Sequence, residues 1–596
     1  MSVQTILTIL ALHHKSKGAS HMKFIIKGNW ENIKALDGML FFAQRVEEML
    51  MYYTSHVYKA PVYNSWMLIK EYLITVELVR NGKMNENHAD VILEEFLHSL
   101  SEDLIIKCRY SQEEIERIKS RLQSSSTIDK EKFMLYLWDK FKDYPKWCKN
   151  EIFKAVQQPK EKKKIDAFTR SLIPALIGAG YHPNFIYWEC INFFSQEAIT
   201  IRDFSPIENF LNTFDFKTKK FTVYFAVDKC IGREFQQMLE RRIKVSFEQD
   251  AYSQKLQYDN DKYICIHIKA KDFDRGGAAE FAYQIFDVFM RYYKFLGNRT
   301  NDLYLDRALV VEDNGSFKNV PLKPEGYMKF SHEYDDRTLA RSSDRLIAKM
   351  IDNSSSEDFF LIDKLIRSHN IAISSEDMSS GFLNFWSIME IIGVSNRQDA
   401  KIQEIINAVM PILKRNYPRI IFTELYEYMK ANIPEEDYEY LLSSINETGS
   451  EKFKIACMVI LDDYEQIGKE AYRILGNYPI IRSRICKLHS EIFNSKKNFI
   501  RELNHYEQRL TWHIQRLYRT RNAIIHSREI PENLKSLGEH LHDYVDELIL
   551  EILESNLSSI NNVIIDAQEF MNKLEREYKD KSEKFTVDNI KFILGW

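Results

Sequence analysis

Apolar residues recur at intervals of three and four along most of this 596-residue chain, and no other feature constrains its fold as strongly. Ile69, Leu73 and Val76, and later Ile173, Leu176 and Ile177, mark helix faces between about 30 and 200. Only 19 glycines and 13 prolines interrupt the pattern, so few positions force a turn or break a helix. Between about 215 and 330 the period changes. KFTVYFAVD, DKYICIHIKA and LYLDRALVV are short β-branched and aromatic runs, separated by helix-like segments such as AAEFAYQIFDVFMRYYKFLG. After DNSSSED at 352–358, a polar linker with a helix-start signal, the helical period resumes. The expected fold is mainly α: a helical region over 1–205, a small α/β domain of sensing or regulatory type over 206–345, and a helical domain over 355–596.

Hydrophobic residues at 45% and charged residues at 28% describe a folded chain rather than a disordered one. A net charge of −4 argues against nucleic acid coating the whole surface and leaves a local basic face to be sought. Seven cysteines (108, 148, 190, 230, 265, 457, 486) form no CxxC pair and are expected to be reduced, buried and inert. The first residues, MSVQTILTILALHHKSKG, lack the basic start of an export signal, and nothing reaches the length of a membrane span, so a cytoplasmic location is expected. GASHM at 18–22 has the look of a cloning junction, and the sequence is compatible with a natural start at either Met1 or Met22.

Three weaker motifs read as structural. PKEKKKID at 159–166 is expected to be a solvated linker or helix face. Gly276-Gly277 lacks the Lys and Ser/Thr of a phosphate-cradling loop and reads as a turn leading into a helix. HEYDDRT at 332–338 is similar to the carboxylate motif of polymerases, but no upstream carboxylate completes a two-metal site, and it reads as an acidic turn.

The chemistry concentrates in YRTRNAIIH at 518–526. On a helix, Leu510, Ile514, Leu517, Arg521 and Ile524 form one stripe, so Arg521 lies in line with apolar residues and needs an acceptor. A second line runs Trp512, Gln515, Arg519, Asn522, His526, which makes Asn522 and His526 neighbours one turn apart. If this face meets a second copy, two arginines and two histidines collect in one cleft. A histidine there exchanges a proton with a ribose hydroxyl or a leaving oxygen, guanidinium groups hold the phosphate, and Asn522 orients by hydrogen bonding. From Arg473 to Arg521 eleven Lys or Arg face three Glu, which suits a polyanionic substrate. Taken alone, Arg521 and His526 would read as an arginine paired with a carboxylate at a helix junction and a satisfied core or capping histidine.

The surrounding sequence argues for more. Arg521-Asn522-Ala523-Ile524-Ile525-His526 resembles the motif of the HEPN superfamily (higher eukaryotes and prokaryotes nucleotide-binding), whose nucleases carry Arg, a polar residue, further residues and His. LIRSHNIAISSEDMSSGFLNFWSIMEIIG at 365–393 is similar to the first two helices of the ApeA-like branch, with Phe382, Leu383, Phe385, Trp386 and Glu390 as its FLxFWxxxE core. Beyond the motif, Pro531 breaks the chain and Leu534, Leu537, Leu541, Val545, Leu548 and Ile552 pattern a last helix.

That resemblance implies a four-helix core, with 394–507 as an insertion, and dimerisation through the motif face. It also implies metal-independent RNA cleavage that leaves a 2′,3′-cyclic phosphate, in a bacterial toxin or antiphage effector. His526 is then the general acid or base, Arg521 the phosphate clamp and Asn522 the orienter. Glu390, Arg519 and Tyr518 are expected to support the motif, and Arg516 and Arg519 to bind substrate. Expected partners are RNA (tRNA or another cellular RNA), a second copy of the chain or a higher oligomer, and a phage-derived or nucleotide trigger. No membrane contact, cofactor or metal is expected. The alternative is a non-catalytic HEPN protein that binds RNA or a nucleotide, or helices that serve assembly alone.

Overall fold

The computed structural model describes residues 23–595 except 29, 32, 52–62, 196–199, 244, 248–249, 298–303, 323–342, 345–355, 376, 394–401, 527–532 and 556–558. The GASHM, HEYDDRT and Pro531 readings lie outside the described residues. The fold is mainly α, with one four-stranded antiparallel sheet in the middle of the chain.

The chain divides into two compact units, but not at the expected boundaries. One comprises 172–198 and 203–325; the other joins 1–171 and 199–202 to 326–596. The N-terminal helices are therefore not a separate domain, and the reason is polar. Helix Ile33–Met51 buries Gln44, Arg45, Glu47 and Glu48, which need partners once removed from water. Glu48 pairs with Arg484 and accepts from Tyr428 Oη at 2.7 Å, Gln44 Nε2 donates to the Asn477 carbonyl at 2.9 Å, and Asn432 Oδ1 accepts from the Phe24 amide at 3.1 Å.

In the smaller unit the strands β1 (Lys219–Asp228), β2 (Tyr263–Asp272), β3 (Tyr304–Glu312) and β4 (Phe317–Val320) lie in the order β2-β1-β3-β4. Lys219 pairs with Asp272, Phe221 with Glu312, and a bulge follows Phe225. Alternation along β1 sends Phe221, Val223, Phe225 and Val227 into a core with Ala278, Ala282 and Phe286 of helix Arg275–Gly297. Tyr224 and Ala226 point the other way, under Tyr252, Leu256 and Tyr258. Gly276 and Gly277 lead into that helix as expected. Asp274 accepts from the Gly277 amide at 3.0 Å, and a Cβ at Gly277 would strike the Asp272 carboxylate.

In the larger unit, four helices each touch the other three: Met378–Gly393, Ile402–Asn432, Lys496–His526 and Leu534–Glu554. Helix Ile402–Asn432 falls within the segment expected as an insertion, yet it is a member of this core. It buries Ile405, Val409, Leu413, Phe422 and Leu425, each contributing on the order of 1.5–3 kcal/mol of burial. Lys163 and Lys164 are exposed at the start of helix Lys162–Gly178, as their solvated reading requires. Of the seven cysteines only Cys148, Cys190, Cys265 and Cys457 are buried. Cys108 sits in a turn, Cys230 in the short 3-10 helix Lys229–Ile231 and Cys486 on an open helix face, all three exposed, which corrects the expectation that all were packing residues. No described helix is long and apolar enough to cross a membrane.

Candidate functional site

The motif helix, Lys496–His526, carries the three expected catalytic side chains in its last two turns. Its start is capped from a distant segment: the Lys496 and Lys497 amides donate to the carbonyls of Glu583 and Lys581 at 3.1 and 2.9 Å. Leu510, Ile514 and Leu517 are buried on the stripe that leads to Arg521, as the spacing requires.

Arg521 meets that stripe's polar problem at the junction with helix Met378–Gly393. Its Nη1 donates to Asn522 Oδ1 at 3.1 Å, and its Nη2 lies 3.5 Å from Glu390 Oε1, an ion pair with 27% and 35% of the side chains exposed. Trp386 Nε1 donates to the same Glu390 oxygen at 2.8 Å. Glu390 and Trp386 stand four residues apart and so share a helix face, which fixes the carboxylate where Arg521 arrives. Asn522 is buried at 8% exposure and orients Arg521 rather than His526. His526 is the last residue of the helix, one turn past Asn522; it is exposed and has no hydrogen-bond partner among the described residues.

Tyr518 packs beside the motif in two tilted ring contacts. Its ring lies 5.7 Å from Trp386 and 5.4 Å from His88, centroid to centroid. Burial, and after it the Arg519 guanidinium, lowers the His88 pKa to about 4, so this ring is neutral at pH 7.

Arg516 and Arg519 correct the expectation that they bind substrate. Both are buried, at 4% exposure each, against helices Ser65–Arg80 and Asn87–Glu102. Arg516 Nε lies 3.1 Å from Glu71 Oε2 and its Nη2 2.6 Å from Glu95 Oε2; Arg519 Nη2 lies 2.7 Å from Glu71 Oε1. The Arg516 guanidinium also covers the Tyr63 ring at 4.0 Å, and Tyr63 Oη accepts from Asn533 Nδ2 at 2.8 Å. Burial opposes charge on Glu71, but two guanidiniums together hold its pKa below the ordinary carboxylate range. Glu95 is raised by burial, which its guanidinium partner only partly offsets. These arginines are committed to carboxylates and tie the motif helix to helices Ser65–Arg80 and Asn87–Glu102.

The basic segment is neutralised in the same way. Of its eleven cations, Arg473, Arg482, Arg484, Lys496, Arg509, Arg516, Arg519 and Arg521 all pair with carboxylates. Most partners lie far away in sequence, including Asp37, Glu48, Glu71 and Glu583, so a regional count of charge overstates the positive field. Sequence reasoning missed Glu71, Glu95 and His88 for that reason.

What the arrangement offers chemically is narrow: one partly exposed guanidinium in a loose ion pair, an amide that orients it, and an exposed imidazole one turn further on. Comparison with known protein families, characterised proteins and solved structures finds no match for this chain.

Proposed function

We propose that the chain is a metal-independent RNA endonuclease of the HEPN type, acting in the cytoplasm as a dimer, in a bacterial antiphage or toxin role. One observation carries this reading: Arg521, Asn522 and Glu390, drawn from two segments that resemble separate parts of one family pattern, meet at 3.1 and 3.5 Å, one turn before the exposed His526.

In this reading His526 takes the proton of a ribose 2′-hydroxyl. The oxygen attacks the adjacent phosphorus, the 5′-oxygen leaves with a proton, and a 2′,3′-cyclic phosphate remains. Arg521 stabilises the charge that grows on the phosphate oxygens, for which its long ion pair with Glu390 leaves donors available. Two roles, base and acid, call for two imidazoles, which a second copy docked on the exposed Ile525–His526 end would supply. Glu71 and Glu95, by gripping the helix that carries the motif, give the N-terminal helices a means to restrain it.

The test is incubation of purified protein with total tRNA and with a long single-stranded RNA in EDTA, beside Arg521→Ala and His526→Ala. Cleavage by the wild type alone, with cyclic phosphate ends, is the expected result. RNA binding without cleavage under every condition, including infected-cell extract, would favour the non-catalytic alternative.

A further inference from the structure

Away from the motif, three metal-ligating side chains converge. His369 lies on helix Ser356–Ser374, and His542 and Asp546 stand one turn apart on helix Leu534–Glu554. His369 Nε2 is 2.8 Å from Asp546 Oδ1 and 3.1 Å from His542 Nε2, and His542 Nε2 is 3.3 Å from Asp546 Oδ2. The potential ligand atoms of all three lie within 4.8 Å of one another.

Both imidazoles turn the same ring nitrogen to the same point. Without an ion, a proton on one of the two nitrogens makes this contact an N–H···N hydrogen bond at 3.1 Å. With both nitrogens unprotonated, the same convergence offers a cation a lone pair from each neutral ring and charge from the carboxylate. Four ligands about 2.0–2.1 Å from a tetrahedral zinc lie about 3.3 Å apart along each edge. The two ring nitrogens, 3.1 Å apart, stand close to that edge length, and the Asp546 carboxylate reaches them through its two oxygens, Oδ1 at 2.8 Å from His369 and Oδ2 at 3.3 Å from His542.

The surroundings hold the rings in place. His542 is buried, with its side chain 7% exposed, and stacks on Phe385 at 4.6 Å and 20°. His369 meets the same phenyl ring edge-on at 5.7 Å. The Asp546 carboxylate is 41% exposed, which gives an ion a way in and a water a fourth position.

We propose that His369, His542 and Asp546 form a site for one divalent transition-metal ion of zinc type, which clamps helix Ser356–Ser374 to helix Leu534–Glu554. The site is independent of the nuclease chemistry. None of its three ligands lies on the motif helix or on helix Met378–Gly393, and the Phe385 ring that packs against both imidazoles points along a different direction of that helix from Trp386 and Glu390.

The experiment uses the full chain, stripped with a chelator and dialysed, then loaded with Zn2+ or Co2+ and passed through gel filtration. One equivalent of metal per chain should be retained, with the visible ligand-field absorption of four-coordinate Co2+ and a higher melting temperature. His369→Gln and Asp546→Asn, chosen because His542 is too buried to change safely, should fold as the wild type does by circular dichroism. They should weaken retention by about 100-fold or more, since even outer-shell changes cost up to that factor. Failure of the wild type to retain metal, or equal retention by folded variants, overturns the proposal. No RNA enters these readouts, so the result is separable from the nuclease assay.

Discussion

Arg519 Nη2 lies 2.7 Å from Glu71 Oε1, a side chain 448 residues earlier in the sequence. With Arg516 and Glu95 it makes a buried two-arginine, two-carboxylate knot between the first helices of the chain and the motif helix. Breaking such a knot on one side leaves a buried charge without its partner, which is where the cost lies.

Arg516→Ala should therefore lower stability by about 3–5 kcal/mol. Chemical denaturation measures this directly. RNA affinity per folded molecule should stay unchanged, and a selective loss of affinity with stability intact would return Arg516 to the role of substrate ligand.

His526→Ala should behave in the opposite manner. An exposed side chain at a helix end carries little packing, so stability should change by no more than about 0.5 kcal/mol. Cleavage should fall by roughly 10²–10⁴, the range for losing a general acid or base. Parallel melting curves and single-turnover rates check both halves, and a large drop in melting temperature would sink the catalytic assignment.

Glu390→Gln keeps an acceptor for Trp386 Nε1 and removes the charge that faces Arg521. Because the pair is partly exposed, stability should shift by less than about 1 kcal/mol. RNA binding, followed by fluorescence anisotropy, should tighten as the guanidinium is released, whereas unchanged binding by both Glu390→Gln and Arg521→Ala would argue that Arg521 never meets phosphate.

Glu47 gives the fold a pH dependence. Burial raises its pKa from 4.5 to about 8, although the Ile25 and Ile26 amides donate to it. At neutral pH the folded state thus holds a proton that the unfolded chain has released. Its contribution to stability is full below about 4.5 and is lost as pH rises through about 8. Relative to Glu47→Gln, the wild type should lose melting temperature between pH 5 and 9; a constant difference across that window would show that the carboxyl is not held protonated.

The helical period, the change to strands near 219 and the glycine turn at 276–277 were all legible, because each depends on residues close together in sequence. The resemblance suggested that Glu390 supports the motif, but its pairing with Arg521 comes from the fold. What escaped were partnerships set by packing. Arg516, Arg519 and Arg484 read as a basic face only while Glu71, Glu95 and Glu48 are out of sight. The 394–507 segment read as an insertion because its length hid that Ile402–Asn432 fills the middle of the core. His542 and Asp546 had the right spacing to share a ligand, but His369 is brought to them only by the fold.

The cap on the first turn of the motif helix has a consequence for biosynthesis. The carbonyls that receive the Lys496 and Lys497 amides belong to 581–583, which the ribosome adds long after the helix itself has been made. The acidic partners Glu71 and Glu95 emerge first and wait unmatched for most of translation, and contacts spanning that much chain form slowly. A chain that ends before residue 581 lacks both carbonyls that cap the first turn of the motif helix, and those two amides are left to water.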